Sequence, residues 1–227
     1  MSEPVPTFPA LTEHVAIAGR TGSGKTWGAI DMLSRRVGPH KVSKGRPFPW
    51  VIIDPKRDEN LAKIPHERLS VNAKFLPDAG VHIVRPKLDG SQKQNVEDLL
   101  RRIFERKGCG VYMDEGHLHG LSPSIRMFLV AGRSRYCPVM WTSQRASQID
   151  PFIWSQATYF RCFALHGPND HRRFYENYGF RYEDPDPFYS YYFDGNQGET
   201  FYLKPASPVD ESLERFNATL VKRFNHI

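Results

Sequence analysis

Residues 14–37 read HVAIAGRTGSGKTWGAIDMLSRRV, and no other stretch constrains the fold of this chain as strongly. Val15-Ala16-Ile17-Ala18 is a short apolar run of the kind that forms a buried strand. Gly19-Arg20-Thr21-Gly22-Ser23-Gly24-Lys25-Thr26 fits GxxxxGK(S/T) without a mismatch, and from Trp27 onward Ile30, Leu33 and Val37 recur at helical spacing. The chemistry needs that order. Glycines let the backbone curl so that successive N–H groups point inward at a polyphosphate, and the helix start adds its partial positive charge. Lys25 would then reach the β- and γ-phosphates and the Thr26 hydroxyl would hold Mg²⁺. A glycine-rich turn can match this pattern by chance, but an apolar strand before it and a helix after it favour a phosphate-binding loop.

The chain has 227 residues, 40% of them hydrophobic, enough for one generous domain with a substantial core. No apolar run approaches the roughly 18–20 residues that span a bilayer, and the N-terminal residues lack a basic-then-apolar pattern, so a soluble, intracellular protein is expected. Cys109, Cys137 and Cys162 lie far apart with no CxxC or Cys/His ligand spacing, which predicts reduced, buried thiols rather than a metal site. The net charge of +6 is uneven: residues 1–169 carry 24 Lys+Arg against 15 Asp+Glu, whereas residues 170–227 carry 7 against 10. A basic excess on the nucleotide-binding part suits a polyanion partner such as nucleic acid, although mild basicity also serves solubility.

Taken in order, residues 1–12 hold three prolines and no periodicity, an extended arm that is either a disordered tail or a segment docked on a neighbouring subunit. The loop at 38–49 is rich in Gly, Pro, Lys and Arg, either a DNA-facing loop or a solvated connector. Trp50-Val51-Ile52-Ile53 is a second buried strand, ending in Asp54-Pro55-Lys56-Arg57-Asp58-Glu59. Charges just past a strand's C-terminal end fall where open α/β sheets keep their ligands, or they form an ordinary polar loop. Val81-His82-Ile83-Val84 is a third strand. Residues 95–107 place Val96, Leu99, Leu100, Ile103 and Phe104 on one face of an amphipathic helix. Gly110-Val111-Tyr112-Met113 then runs into Asp114-Glu115, the form of a Walker B motif. Asp114 would hold the Mg²⁺ shell and Glu115 would orient and deprotonate the attacking water.

His117 and His119 follow without further ligands and read as loop histidines. Residues 125–135 form a helix whose basic end carries Arg133 and Arg135, and residues 137–142 a fifth strand ending in Ser143-Gln144-Arg145. A polar side chain at that tip, Gln144, would sit beside the γ-phosphate and sense its presence; the alternative is a plain loop amide. Residues 157–166 read as a sixth strand, 168–178 as a helix with Pro at its start and Gly179 at its end, 189–205 as a hairpin around Asp194-Gly195-Asn196, and 211–224 as an amphipathic helix on Leu213, Phe216, Leu220, Val221 and Phe224.

The succession of a GxxxxGKT strand, a strand ending in Asp-Pro-Lys, an Asp-Glu strand, an Ala-Gly-Arg helix and a strand ending in Thr-Ser-Gln-Arg resembles the FtsK–HerA superfamily of ring-forming P-loop ATPases that pump DNA. The resemblance covers residues 15–150. The compact size, without membrane-spanning or DNA-reading domains, resembles the genome-packaging ATPases of tectivirus-like, internal-membrane viruses. It implies ATP and Mg²⁺ as cofactors and a homo-oligomeric ring, usually a hexamer, with nucleotide held between subunits. It also implies an arginine finger supplied in trans. Arg133 or Arg135 is the candidate, which the sequence does not separate from Arg101, Arg102 or Arg145. Gln144 matches the family's polar sensor.

The expected fold is α/β, a three-layer P-loop NTPase (ASCE/RecA-like) with a mainly parallel central sheet and a small C-terminal β-hairpin plus helix. Residues 1–12 are its arm, 13–166 its ATPase core and 167–227 a C-terminal helix, hairpin and terminal helix packed on the core. The expected function is Mg-ATP hydrolysis that translocates double-stranded DNA, filling a preformed viral capsid from the host cytoplasm or the packaging vertex, with capsid-vertex or membrane-embedded packaging proteins as further partners. The rivals are a nucleotide or polynucleotide kinase and the ATPase of a DNA-transfer or phage-extrusion system. Glu115, placed to activate water, argues against the kinase.

Overall fold

The computed structural model describes residues 5–179, 181–204 and 209–220. The apolar runs become strands because each alternates large side chains between two buried faces. They are β1 (Val15–Ala18), β2 (Trp50–Ile53), a two-residue edge strand β3 (Glu67–Arg68), β4 (Val81–Val84), β5 (Gly110–Met113), β6 (Val139–Ser143) and β7 (Tyr159–Cys162). All seven are parallel, and the antiparallel strands β8 (Ser190–Asp194) and β9 (Glu199–Leu203) complete one nine-stranded sheet in the order β3-β4-β2-β5-β6-β1-β7-β8-β9.

The period of two sorts the core into layers. Ala16, Ala18, Val51, Ile53, Val111, Met113, Val139, Trp141, Phe160 and Cys162 face one side. There they meet helices α2 (Lys93–Arg106), α3 (Pro123–Arg135), α4 (Pro151–Gln156) and α5 (Pro168–Tyr178). Val15, Ile17, Trp50, Ile52, Tyr112, Met140 and Tyr159 face the other side, against α1 (Lys25–Ser34) and Phe216 of α6 (Val209–Leu220). This is the three-layer α/β arrangement expected. All three cysteines are buried and free. Among the described residues no helix is long and apolar enough to cross a membrane.

The structure adjusts several expected elements. The strand read at 157–166 is confined to Tyr159–Cys162, and the short α4 before it and the edge strand β3 are additional elements. The hairpin packs on the core by continuing its sheet: β8 pairs with β7 in register Phe160↔Phe193, across residue 166. Its loop, residues 195–198, follows Asp194 and contains Gly195 and Asn196 of the expected turn. Of the arm, residues 5–12 lie against their own chain. Thr7 donates from its amide and hydroxyl to Asp194 Oδ2, Tyr192 donates to the Thr7 carbonyl, and the Arg35 guanidinium lies 4.3 Å from the Phe8 ring centroid. Arg215 of α6 reaches back to Asp31 and Ser34 of α1. Val221 and Phe224, read on the last helix, lie outside the described residues.

Candidate active site

Parallel strands end on the same edge of a sheet, and chain segments leaving neighbouring strands in opposite senses open a crevice there. Here that edge gathers the loop after β1, the turn after β2, the Asp114-Glu115 pair after β5 and Gln144 after β6. They surround a cavity of about 330 Å³.

The glycine loop is tied to both strands that flank β1. Gly19 N donates to the Ser143 carbonyl at 3.2 Å and Arg20 N to the Ala164 carbonyl at 2.7 Å. Gly22 and Gly24 adopt φ of +78° and +97°, left-handed values that only glycine takes without strain. The curl leaves the amides of Thr21, Gly22 and Gly24 without a protein acceptor among the described residues, and the first α1 bond to form is Gly28 N to the Gly24 carbonyl at 2.9 Å. The free amides at the helix start and the absence of an acidic residue in its first turn make a built anion cradle. Phe188, entering ahead of the hairpin, closes over Gly24.

Glu115 is the centre of the polar network. It is 3% exposed and takes a left-handed backbone at φ 47°, ψ 49°, which turns its side chain back toward the glycine loop. One carboxylate oxygen, Oε1, faces Lys25 Nζ at 3.2 Å, Lys56 Nζ at 3.3 Å and Gln144 Nε2 at 3.0 Å. Among the described residues Oε2 has no hydrogen-bond partner, with His117 Nδ1 at 3.4 Å. Burial works against the Glu115 charge, but Lys25, Lys56 and Gln144 together outweigh it and hold the carboxyl below its ordinary value. Its neighbour behaves oppositely: burial pushes Asp114 up to about 6, against the pull of Lys25. Asp114 Oδ1 accepts from Thr142 Oγ1 at 2.9 Å and from Tyr112 OH at 3.1 Å, and the Glu115 amide donates to that same threonine oxygen at 3.1 Å.

The turn after β2 is as firmly built. Asp54, fully buried, accepts from the Asp58 amide at 3.0 Å and from Arg85 Nε at 3.1 Å. Burial raises the Asp54 pKa. Asp58 in turn accepts from Thr26 Oγ1 at 3.3 Å. Thr26, Asp58 and Asp114 are hard oxygen donors of the type Mg²⁺ takes, while no cluster among the described residues would cage a metal by protein ligands alone. Mg²⁺ bound through one or two carboxylates plus substrate phosphates fits this arrangement.

Arg20, Thr21, Gly22, Gly24, Lys25 and Thr26 of the predicted phosphate loop therefore converge with Asp114, Glu115 and Gln144; Gly19 and Ser23 do not line the cavity, Gly19 being packed against Ser23 and Phe163. Nor do Arg133 and Arg135. Arg133 donates to Thr158 Oγ1, just before β7, and Arg135 stacks at 4.6 Å on Phe104, both at the edge of the sheet opposite the cavity. Lys56, which the sequence marks as part of the Asp54-Pro55-Lys56 strand ending of the resemblance, and Asp58, marked only as a charge past a strand, are not singled out as site residues by the sequence, yet both line the cavity. Trp27, Asn60 and Phe188 also line the cavity, and nothing in the sequence pointed to them.

No protein-family model matches the chain. It is 26% identical over 226 residues to the DNA packaging ATPase P9 of Enterobacteria phage PRD1, a match covering 92% of this chain and 94% of P9. Among solved structures, the genome packaging NTPase B204 of Sulfolobus turreted icosahedral virus 2, in complex with ATP-gammaS, superposes with a TM-score of 0.68 at 19% identity, covering 86% of this chain and 98% of B204. The cytoplasmic domain of the Thermomonospora curvata type VII secretion ATPase EccC matches with a TM-score of 0.58 at 14% identity, over 93% of this chain and 28% of EccC. The resemblance to genome-packaging ATPases thus extends over nearly the whole chain.

Proposed function

We infer that this chain is a P-loop ATPase of viral genome packaging, a Mg-ATP-hydrolysing motor that moves double-stranded DNA through a homo-oligomeric ring into a preformed capsid. The observation that carries the reading is the convergence of Lys25, Lys56 and Gln144 on one oxygen of Glu115, at the mouth of the amide cradle. A phosphate lysine, a carboxylate and a polar amide from three different strand ends are what γ-phosphoryl transfer to water requires.

The amides of Thr21, Gly22 and Gly24 and the start of α1 bind the phosphates, and Lys25 neutralises them. Thr26 and Asp114 would hold Mg²⁺, with Asp58 keeping the Thr26 hydroxyl oriented. When bound, the ion neutralises charge on the β- and γ-phosphate oxygens. Glu115 takes a proton from the attacking water, and Gln144 positions that carboxylate. A kinase keeps water from the γ-phosphate, whereas this carboxylate is presented to the cavity. The DNA and its packaging rest on the resemblance to P9 and B204 and on the basic excess of residues 1–169, and the ring and capsid on the FtsK–HerA and packaging-ATPase resemblance of the sequence. The ring is a hexamer with an arginine supplied in trans, docked at a capsid vertex or on membrane-embedded packaging proteins.

Steady-state ATP hydrolysis, with and without long double-stranded DNA at low salt and across protein concentration, tests this. Turnover that rises with DNA, and more than linearly with protein, supports a ring motor with shared sites. Turnover indifferent to DNA and linear in protein refutes it.

A further inference from the structure

Lys56 stands in an unusual position for a lysine. Its side chain is 38% exposed, so the ammonium has open water within reach, yet it turns inward to a carboxylate that is 3% exposed. Lys25 already approaches the same oxygen, at 3.2 Å. That one carboxylate oxygen therefore faces two ammonium groups, one more than a simple ion pair holds.

The turn that presents Lys56 is fixed in place. The buried Asp54 carboxylate anchors it through the Asp58 amide on one side and Arg85 on the other, and Arg57 takes a left-handed φ of 58° between them. β2 and β5 are adjacent in register Ile53↔Met113, so the residues that follow them emerge side by side. The backbone is thereby set while the four-carbon stem of Lys56 stays free to swing.

Resting on the ATPase reading above, we propose that Lys56 is a second polyphosphate-binding residue, held by Glu115 in the free enzyme and transferred to the γ-phosphate of ATP when nucleotide binds. On that reading Glu115 faces the γ-phosphate and its attacking water; Lys25 comes from the phosphate loop and also serves the β-phosphate, whereas Lys56 enters beside Glu115 from the end of β2 and meets the nucleotide at the γ-phosphate. While Lys25, Lys56 and Gln144 crowd Oε1, that oxygen has no room for a water. A triphosphate competes for both lysines by charge and opens Oε1 to the water. ADP lacks the group that draws Lys56 away. Lys56 thus distinguishes ATP from ADP and couples substrate binding to exposure of the base.

The test compares Mg-ATPγS and Mg-ADP binding by titration calorimetry for the full-length wild type, Lys56→Ala and Lys56→Arg, with thermal melts confirming that the variants fold. A charge-assisted contact on the γ-phosphate predicts that Lys56→Ala weakens ATPγS binding about 10- to 100-fold. ADP affinity should stay within about threefold, and Lys56→Arg should recover most of the loss. Equal weakening of both nucleotides, or none of either, overturns the proposal. A wild type that binds neither nucleotide would instead refute the ATPase reading on which it rests.

Discussion

Replacing Glu115 by Gln removes one charge and almost no volume, so its consequences separate cleanly. The amide oxygen can still accept from Lys25, Lys56 and Gln144, which lie 3.0–3.3 Å from Oε1. Removing one partner of a fully buried ion pair costs about 3–5 kcal/mol. Here both ammoniums open onto a cavity of about 330 Å³ where water can take the place of the lost charge. The expected stability loss is therefore smaller, about 1–2 kcal/mol, in the range of a charge-assisted hydrogen bond becoming a neutral one. Turnover should respond far more strongly. A positioned general base contributes about 10²- to 10⁴-fold, or about 2.7–5.5 kcal/mol of barrier. Nucleotide affinity should hold or tighten, because the amide no longer competes as an anion for the two lysines. The assay pairs phosphate release at saturating ATP with calorimetric binding of Mg-ATPγS. Turnover within tenfold of wild type, with binding intact, would place the base elsewhere. Loss of binding together with a large drop in melting temperature would make Glu115 a scaffold residue.

Lys25→Ala should weaken binding of ATP and ADP alike, since the lysine reaches the β- as well as the γ-phosphate, and unchanged affinity in a binding titration would sink the phosphate-loop reading. Gly116→Ala would place a Cβ 2.3 Å from the buried Trp141 ring, so urea denaturation should show a loss of about 1–3 kcal/mol; a neutral effect would mean that the turn beyond Glu115 is slack. His14 is 1% exposed, and burial, with Arg133 and Arg36 adding to it, lowers its pKa to about 3. The unfolded chain takes up that proton below about pH 6.5 while the native state refuses it, so stability falls on acidification at up to about 1.4 kcal/mol per pH unit between those values. His14→Asn, which keeps an acceptor for the Val139 amide, should flatten the difference between urea midpoints at pH 7 and pH 5; an undiminished difference would assign it to other groups.

What the sequence revealed and what it hid divide along a physical line. The buried strands and the glycine loop were legible because each is a local pattern with one structural solution. A run such as Trp50-Val51-Ile52-Ile53 has no amphipathic alternative, and a curl needing φ of +78° and +97° demands its glycines. Asp150-Pro151 was a readable helix start, and Asp150 does accept from the Phe152 amide at 2.8 Å, yet the six residues of α4 are too few for periodicity to register. The junction of the hairpin with β7 was hidden because pairing partners are set by tertiary context. So was the meeting of Lys56 with Glu115, 59 positions apart, which exists only because β2 and β5 are neighbours.

The arginines show the same line from the other side. Arg133 and Arg135 stand at the basic end of the helix after Asp114-Glu115, which makes them candidates for the trans cation that the resemblance implies. But α3 has 13 residues, and at 1.5 Å per residue it carries its C-terminal end about 20 Å from its start. It leaves the cavity edge of the sheet after β5 and ends at the opposite edge, where Gly108 N donates to the Arg135 carbonyl just ahead of β5 and Cys137 N to the Gly132 carbonyl just ahead of β6. Neither arginine serves the cavity of its own chain. A role in hydrolysis therefore requires a neighbour oriented so that the strand-start edge of one subunit meets the strand-end edge of the next. Arg145, exposed and one residue beyond Gln144, satisfies no such constraint, since it already lies on the cavity edge. If the chain forms the ring proposed above, Arg133 or Arg135 as its finger requires contact between opposite edges of the sheet, whereas Arg145 requires contact at the cavity edge.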